Sequence, residues 1–298
     1  MASSTKYLVA IATYSRPSDL EHLLDSLLTS VDLDSVDVVV VDNDASASAE
    51  QVVLRHPLKP RYEVEPVPGI ASARNRALDL FDSRYAGIIF VDDDEWVDPS
   101  WYRQIVSYAD STGAQAVQGP VVSVLPEDAP AWVRRGNFFQ RLTEETGSEL
   151  KSAATNNVLL MRTAWVGAGL PRFDIAFSET GGSDFDFFWG IRKSGAKILY
   201  CSEAVVFESV PQSRMSWQWI RRRYMRNGIA IVRSHRKHGE SIYGLLLVRM
   251  LALVFGATRL AMQYVSRRGP QAQSVESVFK SIGAFCALTG YRIKEYGR

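Results

Sequence analysis

Cysteine is scarce in this sequence: Cys201 and Cys286 are the only two, and neither sits in a C-x-x-C pair. A disulfide framework and a thiolate metal site are thereby excluded, and a reducing compartment fits. The opening stretch, MASSTKYLVAIATYSRP, has one lysine and a short apolar run that breaks at Thr13 and Pro17. It is too short and too polar for the core of a secretory leader, and is expected to form a first strand. Internal repeats and low-complexity tracts are absent. With 46% hydrophobic and 22% charged residues over 298 positions, the chain has enough apolar material for a large folded domain, which excludes disorder.

Net charge is also small, +1, but it hides an asymmetry. Residues 214–268 carry 12 Lys or Arg against one acid, Glu240, whereas residues 1–213 carry 18 against 30. The two parts are expected to face different partners.

Three β-branched runs, YLVAIA (7–12), VDVVVV (36–41) and GIIFV (87–91), have strand length and no polar alternation, the pattern of strands buried on both faces. Helical stretches lie between them. PSDLEHLLDSLLTS places Leu20, Leu23, Leu24, Leu27 and Leu28 on one face behind Pro17, and GIASARNRALDLF does the same with Ile70, Ala73, Ala77, Leu78 and Phe81. The alternation predicts an α/β, doubly wound, Rossmann-like half. From 120 to 180 prolines and glycines break the pattern into a loop-rich region, and helix returns at 184–194 and from 214 onward.

In open α/β sheets, ligands bind beyond the carboxyl ends of the strands. Here those ends read ATYSRP, VDNDAS and VDDDE. Mg2+ or Mn2+ binds hard oxygen donors, usually one or two carboxylates together with substrate phosphates. Asp92 and Asp94, two apart in an extended segment, point to the same side and can share a cation, while Asp93 points elsewhere.

VAIATYSRPSDLEHLLDSL, VVVVDNDAS, GIASARNRAL, IIFVDDDEWVDPSWY and GGSDFDFFWGIRKSGAKILY follow one another in that order. Together, over residues 7 to 230, they resemble the family 2 glycosyltransferases of the GT-A fold. ESVPQSRMSWQWIRRRYMRNG further looks like members that build succinoglycan-type exopolysaccharide. The resemblance implies a Rossmann-like nucleotide-diphospho-sugar transferase domain over residues 1–235, with C-terminal amphipathic helices over 236–298. Thr13 and Tyr14 would line the base and ribose, Asp42 would accept a hydrogen bond from the base, and Arg74 would reach the pyrophosphate or the base. Ala12, Arg16, Asn43, Asp92 and Asp93 complete the implied nucleotide site, and Asp92 and Asp94 would hold Mg2+ or Mn2+. Glu208 stands where many relatives place a metal-proximal His, and would serve as a further ligand of the cation or hydrogen-bond the acceptor. Ser15 replaces an Asn usual in relatives, and NDAS a Gly-Ser-rich turn, which leaves the base open between UDP and other nucleotides.

An inverting transfer needs a base facing the acceptor hydroxyl. The family places an Asp at the position of Asp184, behind Gly181 and Gly182, and Asp184 is the implied base. Asp186 reads as a charge at a helix start, and Glu179 as a third carboxylate near the acceptor. Asn156 and Asn157 fall at a position that faces the donor sugar in relatives, and Trp132 offers a ring for a sugar or for the core. Gln218 and Arg221 fit the Q-x-x-R-W signature of processive synthases, but Arg222 replaces its Trp, so one sugar per encounter is expected. Arg221 or Arg222 could clamp a diphosphate.

In SIYGLLLVRMLALVFGATRLAMQYVSRR, Arg249 and Arg259 interrupt the apolar run short of the ~20 residues a spanning helix needs. Arg249, Ala252, Gly256, Arg259, Gln263 and Arg267 form one small-and-basic stripe. Such a helix either lies on anionic lipid with its arginines at the headgroups or packs on the catalytic domain. The expected partners are a UDP-sugar donor, a glycan or lipid-linked oligosaccharide acceptor and the inner face of the plasma membrane, approached peripherally from the cytoplasm, with no nucleic acid. A nucleotidyltransferase would need an early Gly-rich basic loop, which ATYSRPSDL is not. A nucleic-acid binder using residues 214–237 would leave the acidic strand ends unexplained.

Overall fold

A computed structural model of the chain describes residues 6–141, 143–178, 180–291 and 293. The first half alternates as expected. The strands β1 (Lys6–Thr13), β2 (Val36–Asp42), β3 (Arg61–Val64), β4 (Tyr85–Asp92) and β5 (Glu95–Val97) are separated by α1 (Pro17–Ser30), α2 (Glu50–Arg55) and α3 (Ile70–Asp79), with β5 following β4 directly. Next come α4 (Trp101–Thr112), β6 (Ala116–Gln118), β7 (Val121–Val124), α5 (Ala131–Gly136), β8 (Glu149–Leu150), β9 (Val158–Met161) and α6 (Arg162–Gly167). The chain continues through α7 (Ser183–Lys193), β10 (Ile198–Tyr200), β11 (Val206–Ser209), α8 (Trp217–Lys237), α9 (Tyr243–Val265) and α10 (Ala272–Cys286).

Contacts divide the chain into two compact units built from interleaved segments. One is Met1–Val122, Arg141–Ser178 and Phe187–Glu208; the other is Ser123–Gln140, Glu179–Asp186 and Ser209–Arg298. Residue 235, where the sequence reading ends its catalytic domain, falls inside α8.

The first unit holds an eight-stranded sheet in the order β3-β2-β1-β4-β9-β6-β10-β8. β1 pairs in parallel with β2 and β4, and β2 with β3. β9 runs antiparallel between β4 and β6, which makes the sheet mixed. Val9, Ile11, Val38, Val40, Ile89 and Val91 bury into one core, against the leucines of α1, while Leu8, Ala10, Val39, Val41, Ile88 and Phe90 bury into the other, against α3. Burial on both faces is why these strands read as unbroken apolar runs. The register matters for function: Thr13 lies opposite Asp42, and Ala12 opposite Asp92, so three strand ends finish on one edge.

In the second unit α10 packs against both α8 and α9. The helices approach closely where glycine allows it. A Cβ on Gly228 would lie 2.0 Å from the Lys280 carbonyl oxygen, and one on Gly283 2.0 Å from that of Met225. On α9, Gly256 and Gln263 of the stripe meet α10: a Cβ on Gly256 would lie 2.9 Å from Ser277 Cβ, and Gln263 Nε2 donates to Ser274 Oγ at 3.0 Å. Arg249 and Ala252 are partly buried, and Arg259 and Arg267 are exposed. Arg249 and Arg259 do not break the helix, which runs 23 residues and is long and apolar enough to cross a membrane.

Candidate active site

Along VDDDEWV, Val91, Asp93, Glu95 and Val97 are buried, while Asp92, Asp94 and Trp96 are partly exposed. The segment is not one extended strand: Asp93 and Asp94 form the turn between β4 and β5. Asp92 and Asp94 are its two partly exposed carboxylates. Their charge is met by two arginines from elsewhere in the first unit. Arg74 of α3 donates from Nη2 to Asp92 Oδ1 at 3.1 Å, and Arg16 donates from Nη1 to Asp94 Oδ2 at 2.9 Å. The same Arg16 nitrogen reaches Asp93 Oδ1 at 3.1 Å, and Thr13 Oγ1 donates to Asp93 Oδ2 at 2.8 Å. Thr13, Arg16 and Arg74 thus come together around the acidic turn.

Burial outweighs the arginine at Asp93 and pushes its carboxyl up to about 7. Glu95, fully buried and near the charges of Asp92 and Asp94, is pushed well above the usual carboxylate range. Glu95 Oε2 accepts the Asp92 backbone N–H at 2.9 Å, while Oε1 has no hydrogen-bond partner. Nothing local in VDDDEWV marks Glu95 as the fully buried one of four adjacent acids.

Several expected ligand-facing residues turn out to hold the scaffold. Asp42 is completely buried and accepts three hydrogen bonds: from the Asp44 N–H at 3.0 Å, the Ala49 N–H at 2.8 Å and the Tyr62 hydroxyl at 2.8 Å. Its carboxylate shapes the loop after β2 and is not open to a base. Asn43 clamps the next loop: its Oδ1 accepts the Gly69 N–H, and its Nδ2 donates to the Glu65 and Val67 carbonyls, each at 2.8 Å. Gly69 sits at φ 120°, and a Cβ there would lie 2.6 Å from Ser178 Cβ, so glycine is required. Tyr14, by contrast, is exposed beside Ser15, and Ala12 lies within β1.

Asn157 is also committed. Its Oδ1 accepts the Trp101 indole N–H at 2.8 Å, and its Nδ2 donates to the carbonyls of Pro120 and Ala204 at 2.8 and 2.7 Å. The neighbouring Asn156 is buried. Glu208 is buried on β11 opposite Glu95 of β5, and both its oxygens accept from the Arg141 guanidinium, through Nε at 3.0 Å and through Nη2. The forked guanidinium gives the buried Glu208 carboxylate its counter-charge. Arg141 was missed because nothing local in NFFQRLTEE points to a partner so distant in sequence.

The chemistry of the remaining donors fits a hard divalent ion: Asp92 and Asp94 present partly exposed carboxylates. Among the described residues no three His, Cys, Asp or Glu side chains gather into a metal centre. A cation here would take two carboxylates from the protein and its remaining oxygens from phosphate.

In the second unit, α7 begins at Ser183 after two glycines at φ 73° and 91°. Asp184 is partly exposed in its first turn and accepts the Phe185 N–H at 2.8 Å. Asp186 is buried and has a different role. It accepts from Ser234 Oγ at 3.0 Å and Lys237 Nζ at 2.5 Å, with His238 Nε2 3.2 Å away, which ties the start of α7 to the end of α8. Trp132 stacks on Trp217 with centroids 4.4 Å apart and meets Phe138 edge-on at 5.3 Å. One of its ring faces is therefore used within the protein. Arg221 and Arg222 are exposed on α8. Glu179 lies outside the described residues.

Residues 8–165 match the sequence model of the family described as glycosyl transferase family 2. The chain is 32% identical over 303 residues to the succinoglycan biosynthesis protein ExoM of Rhizobium meliloti (strain 1021), covering 97% of this chain and 95% of that protein. Among solved structures, the mannosyltransferase PcManGT from Pyrobaculum calidifontis in complex with GDP-Man and Mn2+ matches with a TM-score of 0.63 at 16% identity, over 95% of this chain and 87% of that one. S. aureus TarS 1-349 in complex with UDP-GlcNAc matches with a TM-score of 0.55 at 14% identity, over 96% and 92%. The chain spans 39% of the longer S. aureus TarS chain. At such identities the two solved structures speak for the fold, GT-A, alone.

Proposed function

The chain belongs to glycosyl transferase family 2 and is a GT-A glycosyltransferase related to succinoglycan biosynthesis, and from that premise we propose that it moves one sugar, with inversion, from a nucleotide-diphosphate donor to a lipid-linked acceptor. The observation that carries the reading is the partly exposed pair Asp92 and Asp94 at the strand-end edge, flanked by Arg74 and Arg16. Two carboxylates beside two arginines suit a diphosphate and its counter-ion, and do not suit a nucleic-acid backbone, which disfavours the basic-stretch reading of residues 214–237.

Asp92 and Asp94 would hold Mg2+ or Mn2+, whose role is to stabilise negative charge as the bond to the diphosphate breaks. Arg74 and Arg16, already placed at those carboxylates, would turn their remaining N–H groups to the phosphate oxygens. Thr13 and the exposed Tyr14 stand at the end of β1, where the nucleoside would lie. Asp184 takes the proton of the acceptor hydroxyl as that oxygen attacks the anomeric carbon, and the electron pair of the broken glycosidic bond leaves on the nucleoside diphosphate. Asp186 anchors the helix that carries Asp184, through Lys237 and Ser234.

A UDP-sugar is the favoured donor, with a GDP-sugar as the competitor; the TarS and PcManGT structures contain UDP-GlcNAc and GDP-Man. The acceptor is a glycan on a polyprenyl diphosphate, met at the inner face of the plasma membrane during bacterial surface or exopolysaccharide synthesis. Incubation with a panel of labelled nucleotide sugars, with Mg2+ or Mn2+ and extracted lipid carrier, tests this directly. One donor should label the lipid fraction, with Asp184→Asn retaining donor binding and losing transfer. Transfer by Asp184→Asn at the normal rate would remove Asp184 as the base, and labelling by none of the donors would remove the reaction.

A further inference from the structure

We propose that α9 is an in-plane membrane anchor, lying along an anionic bilayer with its outward face in the acyl boundary. This deepens the membrane-side reading above and rests on it only for the choice of leaflet. The outward face of α9 is mostly apolar, interrupted by Thr258, whose hydroxyl donates back to the Val254 carbonyl at 2.9 Å, and flanked by the exposed Arg259. Leu247, Val248, Leu251, Val254, Phe255 and Met262 are all exposed, Phe255 at 69%. Tyr243 at 82% and Tyr264 at 88% are exposed on the same helix, and on a helix lying in the membrane plane both rings would sit at headgroup level. A continuous surface of that kind on one side of a soluble unit is the mark of a binding face and not of scattered exposure.

The opposite side of α9 decides between lying flat and spanning. Gly256 lets the α9 backbone press on Ser274 and Ser277 of α10, and Gln263 bonds both the Ser274 hydroxyl, at 3.0 Å, and the Gln271 N–H, at 3.1 Å. α10 carries the Glu276–Lys280 ion pair and packs in turn on α8, with its many arginines. A spanning α9 would have to carry these charged neighbours into hydrocarbon or shed the contacts that fix it. An in-plane α9 keeps all of them and immerses only its free side.

Charge selects the occupant. No Asp or Glu occurs between Glu240 and Glu276, whereas Arg259, Arg267 and Arg268 are exposed on and just after α9. A second copy seated on the same face would bring these arginines against their own kind, whereas anionic headgroups complement them.

The test uses the full chain with vesicles of neutral phosphatidylcholine, alone or mixed with phosphatidylglycerol. Sedimentation should pull the protein down with the anionic vesicles and leave it in solution with neutral ones. Phe255→Glu should weaken binding by about tenfold or more, and the pair Arg267→Glu and Arg268→Glu should do so too, since each basic side chain at an anionic surface contributes on the order of a fivefold gain. Both variants should keep the donor-induced rise in melting temperature, which separates loss of the anchor from loss of the fold or of the sugar-nucleotide site. Spin labels placed at Leu247, Val254 and Met262 in turn should report one shallow depth. Labels at graded depths through the bilayer would overturn the in-plane arrangement. Equal binding to both vesicle types, no binding to either, or a concentration-dependent dimer that buries the face would overturn the proposal outright, whatever the transfer assay shows.

Discussion

Replacing Asn157 by alanine asks whether that side chain serves the fold or the sugar. Its amide is fully buried, and three groups depend on it: the Trp101 indole N–H and the carbonyls of Pro120 and Ala204. The Pro120 carbonyl keeps a second donor, the Val206 N–H at 3.1 Å. Truncation therefore orphans the indole N–H and strips the Ala204 carbonyl. A buried polar group left without its partner costs about 1–3 kcal/mol, so the two together come to about 2–6 kcal/mol. With a urea dependence near the upper end for small proteins, about 3 kcal/mol per molar, the unfolding midpoint should fall by about 0.7–2 M. Asn157→Asp should be no milder, because it keeps an acceptor for Trp101 but turns a carboxylate oxygen toward two carbonyls. The measurement is urea unfolding followed by tryptophan fluorescence, alongside donor KM. A midpoint within about 0.2 M of wild type, as for a surface change of under 0.5 kcal/mol, together with a markedly raised donor KM, would refute the structural role and return Asn157 to the sugar.

Gly283→Ala should destabilise the second unit by about 1–3 kcal/mol, since its Cβ would collide with the Met225 carbonyl and α8 and α10 would have to separate; differential scanning calorimetry reads the loss. Asp186→Ala removes the carboxylate that accepts from both Lys237 and Ser234; about 2 kcal/mol of stability should go, with transfer falling through the misplaced start of α7, whereas Asp186→Asn should recover part of both. Burial raises the Cys201 thiol to about 11, so at pH 7.5 it should resist iodoacetamide while the protein is folded and react in urea, which peptide mass mapping would show.

The strands that build the site were legible because β1, β2 and β4 are buried on both sides, and unbroken apolar runs such as VDVVVV report that condition directly. The acidic run itself was legible, but not its shape: an extended segment was expected where Asp93 and Asp94 make a turn between β4 and β5. The partners of these carboxylates were not legible either. Arg16 and Asp94 are 78 positions apart, and Arg141 and Glu208 are 67 apart, and such ion pairs exist only once the sheet is assembled. The same holds for β9, whose antiparallel place between β4 and β6 follows from tertiary pairing and leaves no mark in VLLM. Asp42 and Asn157 show the converse error. A polar residue at a strand end suggests a ligand, but a loop that must bury its backbone N–H and C=O groups needs polar side chains of the same types to satisfy them. On α9 the spacing grouped the small residues on one side and left open what covers that side, because periodicity carries no information on the neighbour; Gly256 meets α10.

The account depends on a cation bridging Asp92 and Asp94 to a donor's diphosphate. Calorimetric titration of the full chain with UDP and with GDP, each in the presence and absence of Mn2+, addresses that bridge without any acceptor. The account predicts that one nucleotide binds at least tenfold more tightly with Mn2+, and that Asp94→Ala loses this gain while it retains its folding transition. Binding that is indifferent to Mn2+ and Mg2+, or a gain that survives Asp94→Ala, would contradict it.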